Sequence, residues 1–391
     1  MKHPILWLTN ELRPYFGLQQ LNADWELMEL RAGYWIALEG DVIRKCMGTY
    51  EQAYSETDVH IETRDRQWIL PQTAKGKEKK LNFSNITSIK AASIKFSAGI
   101  RDHDHRGYVT VTNPNNTISL PLGECPQCHT REELLAWLQH YPTQLPADYD
   151  QKLECLLYAK RTRYNAIPGD IFRVELDLYH DAYVLVVGDL RKMQKDGLFS
   201  EYSIWNQAMT MPLFVRPYLY RTTNRSPQLA DIITAPQSDH VITVMDDYFL
   251  RGRYEHIGHK LLDEQDIAFP IGYGKMDAQP ENGYSLSWGT GTAFKLESEV
   301  QFTAARTYSN NGVYSGISPH EFEPLENRDW PKTLDHPLYL EARQKAMAEF
   351  GFPADISYDD FNKQTGGLTR RQYMEYLQRT YARYREAKDQ K

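Results

Sequence analysis

Cysteine, histidine and aspartate recur in this chain at spacings that chemistry uses. Cys125-Pro126-Gln127-Cys128-His129 has the spacing of a c-type haem attachment site, where two thiols take the vinyl groups and the histidine takes the iron. That attachment belongs to an exported compartment, and the opening Met1-Lys2-His3-Pro4-Ile5-Leu6-Trp7-Leu8 holds too short an apolar run for a signal peptide. A single C-x-x-C also lacks the second pair of a structural zinc site, so the thiols read as free, at a strand-helix junction. Asp102-His103-Asp104-His105 would direct two imidazoles to one side of a strand, a metal-binding spacing, but Arg101, Arg106 and Gly107 around it favour a polar hairpin tip. His256-Ile257-Gly258-His259 handles nucleotides only after the first strand of a Rossmann fold; here it comes past mid-chain without that pattern and reads as coincidence. Gly289-Thr290-Gly291-Thr292-Ala293-Phe294-Lys295 lacks the second glycine and the hydroxyl of a phosphate loop and reads as a turn. Asp246-Asp247 would point to opposite faces of a strand, and no serine, cysteine or threonine sits in a nucleophile motif. Neither a metal site nor a cofactor nor a catalytic residue is expected.

The elements that would carry these residues divide the chain. From Trp25 to about Tyr141 the pattern is of strands: Tyr34 to Leu38, Val59 to Thr63, Trp68 to Leu70, Ile94 to Ile100, Tyr108 to Thr112 and Thr117 to Leu122, the last two joined by the turn Asn113-Pro114-Asn115-Asn116. A helix follows, with Thr130 and Glu133 as its capping box, Leu134, Leu135, Trp137, Leu138 and Tyr141 as its apolar face, and Pro142 as its stop. Strands closed by a capping helix look like a pleckstrin-homology-like barrel. A connector holding the short helix Gln151 to Lys160 leads to strands from Pro168-Gly169 through Val174, at Ala182 to Asp189, at Met211 to Tyr218 and at Tyr284 to Gly289. The second has the continuous apolar run of a strand buried on both faces. The third is expected to be short or at an edge, because proline cannot donate to a ladder. Beyond Asp335 the pattern is helical: one helix from Pro337 to about Phe350, and a last one capped by Thr369 and Gln372. Tyr373, Leu377, Tyr381 and Tyr384 form the stripe of that last helix, and Arg370, Arg371, Arg379, Arg383 and Arg385 a solvated face.

The predicted class is α+β: a small N-terminal β-barrel or sheet with a C-terminal helix, then a β-rich α+β domain and a helical C-terminal tail. The expected divisions are an N-terminal segment (1–24), the pleckstrin-like domain (25–142), a connector (143–163), a second domain (164–334) and a helical extension (335–391). At 391 residues the chain exceeds one hydrophobic core. The excess of 52 acidic over 45 basic residues, a formal charge of −7, argues against a nucleic-acid partner. No stretch is long and apolar enough to predict a membrane span. Four cysteines in so long a chain fit a reducing compartment, so a cytoplasmic location is expected.

The stretch from Val241 to Gly274 organises the second half. Val241, Ile242 and Val244 predict a short strand feeding a shaped loop, with no core element expected beyond Val244. Asp246 and Asp247 stand beside Tyr248 and Phe249, read here as exposed aromatics, and Gly252, Gly258, Gly272 and Gly274 loosen the backbone between them. Such a surface suits a partner better than a substrate. In order along the chain come P-G-D-I-F from Pro168, V-V-G-D ending at Asp189, P-L-F-V-R-P-Y from Pro212, D-Y-F-L-R-G-R-Y from Asp247, I-G-H from Ile257, F-P-I-G-Y-G from Phe269 and Y-S-L-S-W-G from Tyr284. This succession, over about Tyr164 to Lys295, resembles the immunity-26 family of bacterial polymorphic toxin systems.

The resemblance implies a non-catalytic protein that binds a cognate toxin, with Asp246, Asp247, Tyr248 and Phe249 as candidate partner-binding residues and acidic charge speeding encounter with a basic partner. The alternative is a metal-dependent phosphotriesterase-like hydrolase, because relatives of this family sometimes carry that label and such enzymes open their barrel with an H-x-H pair. No repeated β-α units follow His103 and His105 to build that barrel. An adaptor role through Lys75, Lys77, Lys79 and Lys80 is the third reading, with a solvated hairpin tip as its simpler counterpart.

Overall fold

A strand whose side chains alternate between buried and exposed needs a sheet with one covered face, and the N-terminal part of the chain is built on that pattern. The computed structural model describes residues 6–389 except 71–75, 90–93, 123, 124, 126, 161, 162, 240, 277–281, 305, 306, 309–311 and 325–332, with side chains described to residue 382. Its contacts form two compact units, Met1–Arg161 with Asp177–Tyr179, and Thr162–Leu176 with His180–Lys391.

The first unit runs β1 (Glu26–Arg31), β2 (Tyr34–Glu39), β3 (Val42–Thr49), β4 (Ala53–Arg64), β5 (Trp68–Ile69), β6 (Lys79–Lys80), α1 (Phe83–Thr87), β7 (Lys95–Ile100), β8 (Gly107–Asn113), β9 (Ile118–Ser119), α2 (Arg131–His140) and α3 (Tyr149–Tyr158). The main path of its antiparallel sheet is β1-β2-β3-β4-β7-β8-β9, with β5 and β6 branching from β4. Among the described residues β1 and β9 do not pair, so the sheet is open, the second of the two forms expected, and not a closed barrel. The α2 capping box is present, the Glu133 amide donating to Thr130 Oγ1 at 3.3 Å, and Leu134 and Leu138 are buried beneath it. Strand β3 escapes a reading by apolar alternation because Lys45 sits at an inward position. It is tolerated there by Glu56, 2.8 Å away, and by Asp58, both on the adjacent β4. Arg13 completes the buried quartet at 2.7 Å from Glu56, tying the N-terminal segment, with Leu12 and Phe16, into the same core.

The second unit opens with β10 (Asp170–Glu175), β11 (Asp181–Asp189), α4 (Leu190–Lys195), β12 (Pro212–Pro217), α5 (Leu229–Ile233), β13 (Ile242–Met245), α6 (Asp247–Leu250) and β14 (Glu255–His259). These strands form one antiparallel sheet in the order β13-β12-β11-β10-β14. Strand β11 is covered on both faces: Leu185 and Val187 face one core, Val184 and Val186 another. Strand β12 departs from expectation, being an interior strand between β11 and β13. Its prolines occupy its two end positions, Pro212 opposite Met245 and Pro217 opposite Val184, leaving the ladder amides of Leu213 to Arg216 intact.

A three-stranded sheet follows, made of β15 (Ile271–Met276), β16 (Gly283–Trp288) and β17 (Gly291–Leu296), and then the helices α7 (Leu340–Glu349), α8 (Tyr358–Thr365) and α9 (Arg370–Asp389). Strands β14 and β15 therefore continue the core past Val244, contrary to the loop expected over that stretch, while β16 lies where a late strand was expected. Helix α9 starts at its predicted cap, the Gln372 amide donating to Thr369 Oγ1 at 3.2 Å. Its stripe joins the core over β11: Tyr373, Leu377 and Tyr381 are buried, and Tyr373 Oη donates to the Val187 carbonyl at 2.8 Å. A side chain at position 188 would place its Cβ 2.4 Å from that hydroxyl, so Gly188 is what admits the helix. The side chains of Arg383, Tyr384 and Arg385 lie outside the described residues.

Candidate partner-binding site

The candidate residues sit where β13 leaves the sheet. Met245 is held by the Tyr314 carbonyl, its amide donating at 2.8 Å, and the Asp246 amide donates to the Met211 carbonyl at 3.3 Å. The chain then winds into the single turn α6, the Leu250 amide returning to the Asp246 carbonyl at 2.8 Å. Gly252, at φ 71°, supplies the left-handed residue that lets the turn close, and the Arg253 amide donates to the Tyr248 carbonyl at 2.9 Å. What reads in sequence as a loose loop is thus a tightly bonded knot.

The knot separates the four candidates. Phe249 is 0% exposed and packs edge-on against Phe172 at 4.9 Å and Tyr254 at 5.0 Å, so it belongs to the core and corrects the expectation of an exposed aromatic. One helical turn carries it to the face opposite its polar neighbours, which a strand-and-loop reading could not show. Tyr248 is half-buried, its ring under the Arg253 guanidinium at 4.2 Å. Asp247 pairs with Arg251 at 2.8 Å. Asp246 is half-buried, and burial, followed by the charges of Asp247 and Asp189, pushes its carboxyl above the ordinary value. Asp246, Asp247 and Tyr248 therefore share one accessible edge, with Phe249 as the buried anchor beneath it.

Asp189 is the carboxylate that sequence reasoning missed. It ends β11 and caps α4, its Oδ1 accepting from the Lys192 amide at 2.9 Å. Between it and the α6 knot lies a cleft of about 330 Å³ over Leu213 and Leu250, with Tyr381 of α9 also lining it. The V-V-G-D run already quoted held the signal, an aspartate directly before a helix.

A second cluster lies between β10 and β14, adjoining the cleft, whose lining includes Tyr164 and Ile167. Asp170 is 0% exposed, and its Oδ2 accepts from the Ile167 amide at 3.0 Å and the Tyr164 hydroxyl at 3.1 Å. His259 Nδ1 lies 2.9 Å from Oδ1 and must carry the proton of that bond, since a carboxylate only accepts. His256 Nε2 is 3.4 Å from the same oxygen, and its ring stacks on Tyr164 at 4.4 Å. Burial, with Asp170 beside it, pushes the Tyr164 phenol far above its ordinary value and keeps it a donor. Gly169, at φ 101°, is obligatory: a Cβ there would stand 2.4 Å from His259 Cε1. The P-G-D and H-I-G-H runs are thus two halves of one clasp between β10 and β14.

Residues 167–283 match the family model described as Immunity protein 26. The second unit carries an immunity-26 domain. The matched span holds Asp189, the α6 turn and the Asp170 clasp without its Tyr164, while Tyr164, Tyr314 and Tyr381 lie outside it. No curated protein and no solved structure matches the chain.

The remaining motifs fall elsewhere. Cys125 and Cys128 of the first unit are buried free thiols, and burial pushes Cys125 up to about 12. His103 and His105 lie in the exposed turn between β7 and β8, and among the described residues no group of three or more His, Cys, Asp or Glu is placed to hold a metal. Lys79 and Lys80 form β6, and Lys75 lies outside the described residues. Beyond the matched span Gly289 and Thr290 make the turn between β16 and β17, where the Gly291 amide donates to Asn362 Oδ1 at 2.9 Å. No described helix is long and apolar enough to cross a membrane.

Proposed function

We propose that this chain is an immunity protein that protects its producer in the cytoplasm by binding a cognate toxin and covering the surface the toxin works with, and that it does so without catalysis. The observation that carries this reading is the match of residues 167–283 to the immunity-26 family, the span that holds every ordered motif but the last, Y-S-L-S-W-G. The contact edge is Asp246, Asp247 and Tyr248. Phe249 supports it from within, holding the turn against Phe172 and Tyr254. An aromatic ring bordered by carboxylates is the composition expected of an anchor for a basic partner.

The test co-expresses the chain with the toxin encoded in the neighbouring reading frame and measures survival against the molar ratio of the two proteins. Protection should need about one protein per toxin. Trace amounts that neutralise a large molar excess would mean turnover and overturn the reading. Replacing Asp247→Lys and Tyr248→Ala together should abolish protection in a protein that still folds, whereas Phe249→Ala confounds contact with folding.

A further inference from the structure

The cleft beside α6 has a shape and charge that select one kind of side chain. Asp189 lies opposite Leu213 of β12, and Met245, just before Asp246, lies opposite Pro212 of the same strand. The two carboxylates therefore flank β12 at one end of the sheet, two strand spacings or roughly 10 Å apart at their Cα atoms. Between them the floor is Leu213 and Leu250, and the lip is Met211, which is 60% exposed. Beside it in sequence Met209 is 95% exposed. A cavity of about 330 Å³ is at the small end of the range for ligand sites and has room for one long side chain.

The charges in the cleft are unevenly committed. Lys192 on the α4 wall is held by both oxygens of Asp196, at 2.7 and 2.8 Å, and Arg191 donates to Gln194 Oε1 at 2.9 Å. Lys195, exposed at the rim, also lines the cleft. Among the described residues neither Asp189 nor Asp246 forms an ion pair, and the carboxyl of Asp246 is pushed up by burial and by its two acidic neighbours. A cation arriving from outside would relieve that repulsion.

We propose that this cleft receives one arginine of the partner protein, its methylene stem lying along Leu213, Leu250 and Met211 and its guanidinium between Asp189 and Asp246. A guanidinium presents five donors in one plane and can serve two separated carboxylates, whereas an ammonium is a point charge that satisfies one at a time. Exposed methionine adapts to the stem of an incoming side chain, as at other protein-binding surfaces. The inference rests on the reading that this domain binds a protein, and it adds the chemistry by which that protein is recognised.

The test titrates the full chain, with isotopically labelled leucine and methionine methyls, against N-acetyl-arginine amide, N-acetyl-lysine amide and N-acetyl-glutamate amide. The arginine compound should give saturable shifts at Met211, Leu213 and Leu250, the lysine compound weaker ones and the glutamate compound none. Asp246→Asn should weaken arginine binding roughly tenfold, the worth of one charge-assisted pair. Asp189→Asn, which keeps the α4 cap, should weaken it similarly, and the double variant should abolish it. Equal response to glutamate, or no saturable response to arginine, would overturn the inference. Full protection against the neighbouring toxin by the double variant would also remove the cleft from recognition while leaving the immunity reading intact. Arginine binding in a protein that fails to protect against that toxin would do the reverse.

Discussion

Asp170 and Asp246 stand on the same sheet and have opposite fates. Asp170 is wholly buried, and each of its oxygens meets donors from the backbone, a phenol or an imidazole. Asp246 is half-buried, forms no ion pair among the described residues and lies beside two further carboxylates. A buried carboxylate with its partners in place holds structure, and removing it strands several donors at once. A carboxylate left short of partners at the edge of a cleft costs the folded chain something and is ready for a partner's cation. On the proposed reading, the contrast separates the residues that make this domain from those that meet its partner.

The largest effect expected is at Asp170. Replacing it with alanine removes the acceptor that the Ile167 amide, the Tyr164 hydroxyl and His259 Nδ1 share, and should destabilise the second unit by about 3–5 kcal/mol, the range for breaking a buried charged network. Urea unfolding of the full chain followed by tryptophan fluorescence measures it. A loss under about 1 kcal/mol would show that the clasp is not what joins β14 to β10. Next comes Phe249→Ala, expected to cost about 3–4 kcal/mol through the cavity left between Phe172 and Tyr254. Phe249→Leu should recover most of that stability and, with it, protection against the toxin. A Phe249→Leu protein as stable as wild type but inactive would return Phe249 to the contact surface.

Much of this architecture could be read in advance, and where it could not the reason is physical. Helices α2 and α9 were legible because their caps and apolar stripes are local, Thr130 with Glu133 and Thr369 with Gln372. Strand β3 was not, because Lys45 in the core makes sense only beside Glu56 and Asp58 on the next strand. The interior place of β12 was hidden by its prolines, whose harmlessness depends on lying at the two ends of the pairing. At the candidate site the residue types were visible and their directions were not. One helical turn buries Phe249 while its neighbours stay accessible, and Asp189 joins Asp246 only through the sheet. The histidines of H-I-G-H read as coincidence for the same reason, their partner Asp170 being 86 and 89 positions away.

Tyr248 sits on the boundary between the two fates. Its ring touches Tyr254 edge-on at 5.5 Å and carries the Arg253 guanidinium at 4.2 Å, yet part of it stays accessible. Tyr248→Ala should therefore cost about 1 kcal/mol of stability and at least tenfold in toxin affinity, the ratio expected of an interface anchor. Calorimetric titration of the toxin, alongside the unfolding curve, reads the two numbers separately. Stability and affinity falling in step would place Tyr248 with Phe249 among the structural residues.

Asp246→Asn should have the smallest effect on folding, and one of opposite sign. The ordinary carboxyl value is 3.8, and the folded protein holds Asp246 above it, so between those values the folded state binds more protons than the unfolded one. The penalty for its charge is absent below pH 3.8 and grows as pH rises through the raised folded value. At neutral pH the asparagine variant escapes that penalty and should be slightly more stable, by no more than about 0.5 kcal/mol because water screens a half-exposed group. Toxin binding should move the other way. A basic side chain needs the charged carboxylate, so affinity should fall as the pH is lowered through the raised value in the wild type, and fall less steeply in Asp246→Asn. Parallel pH titrations of binding in the two proteins decide it, since identical slopes would mean that Asp246 meets no cation on the partner.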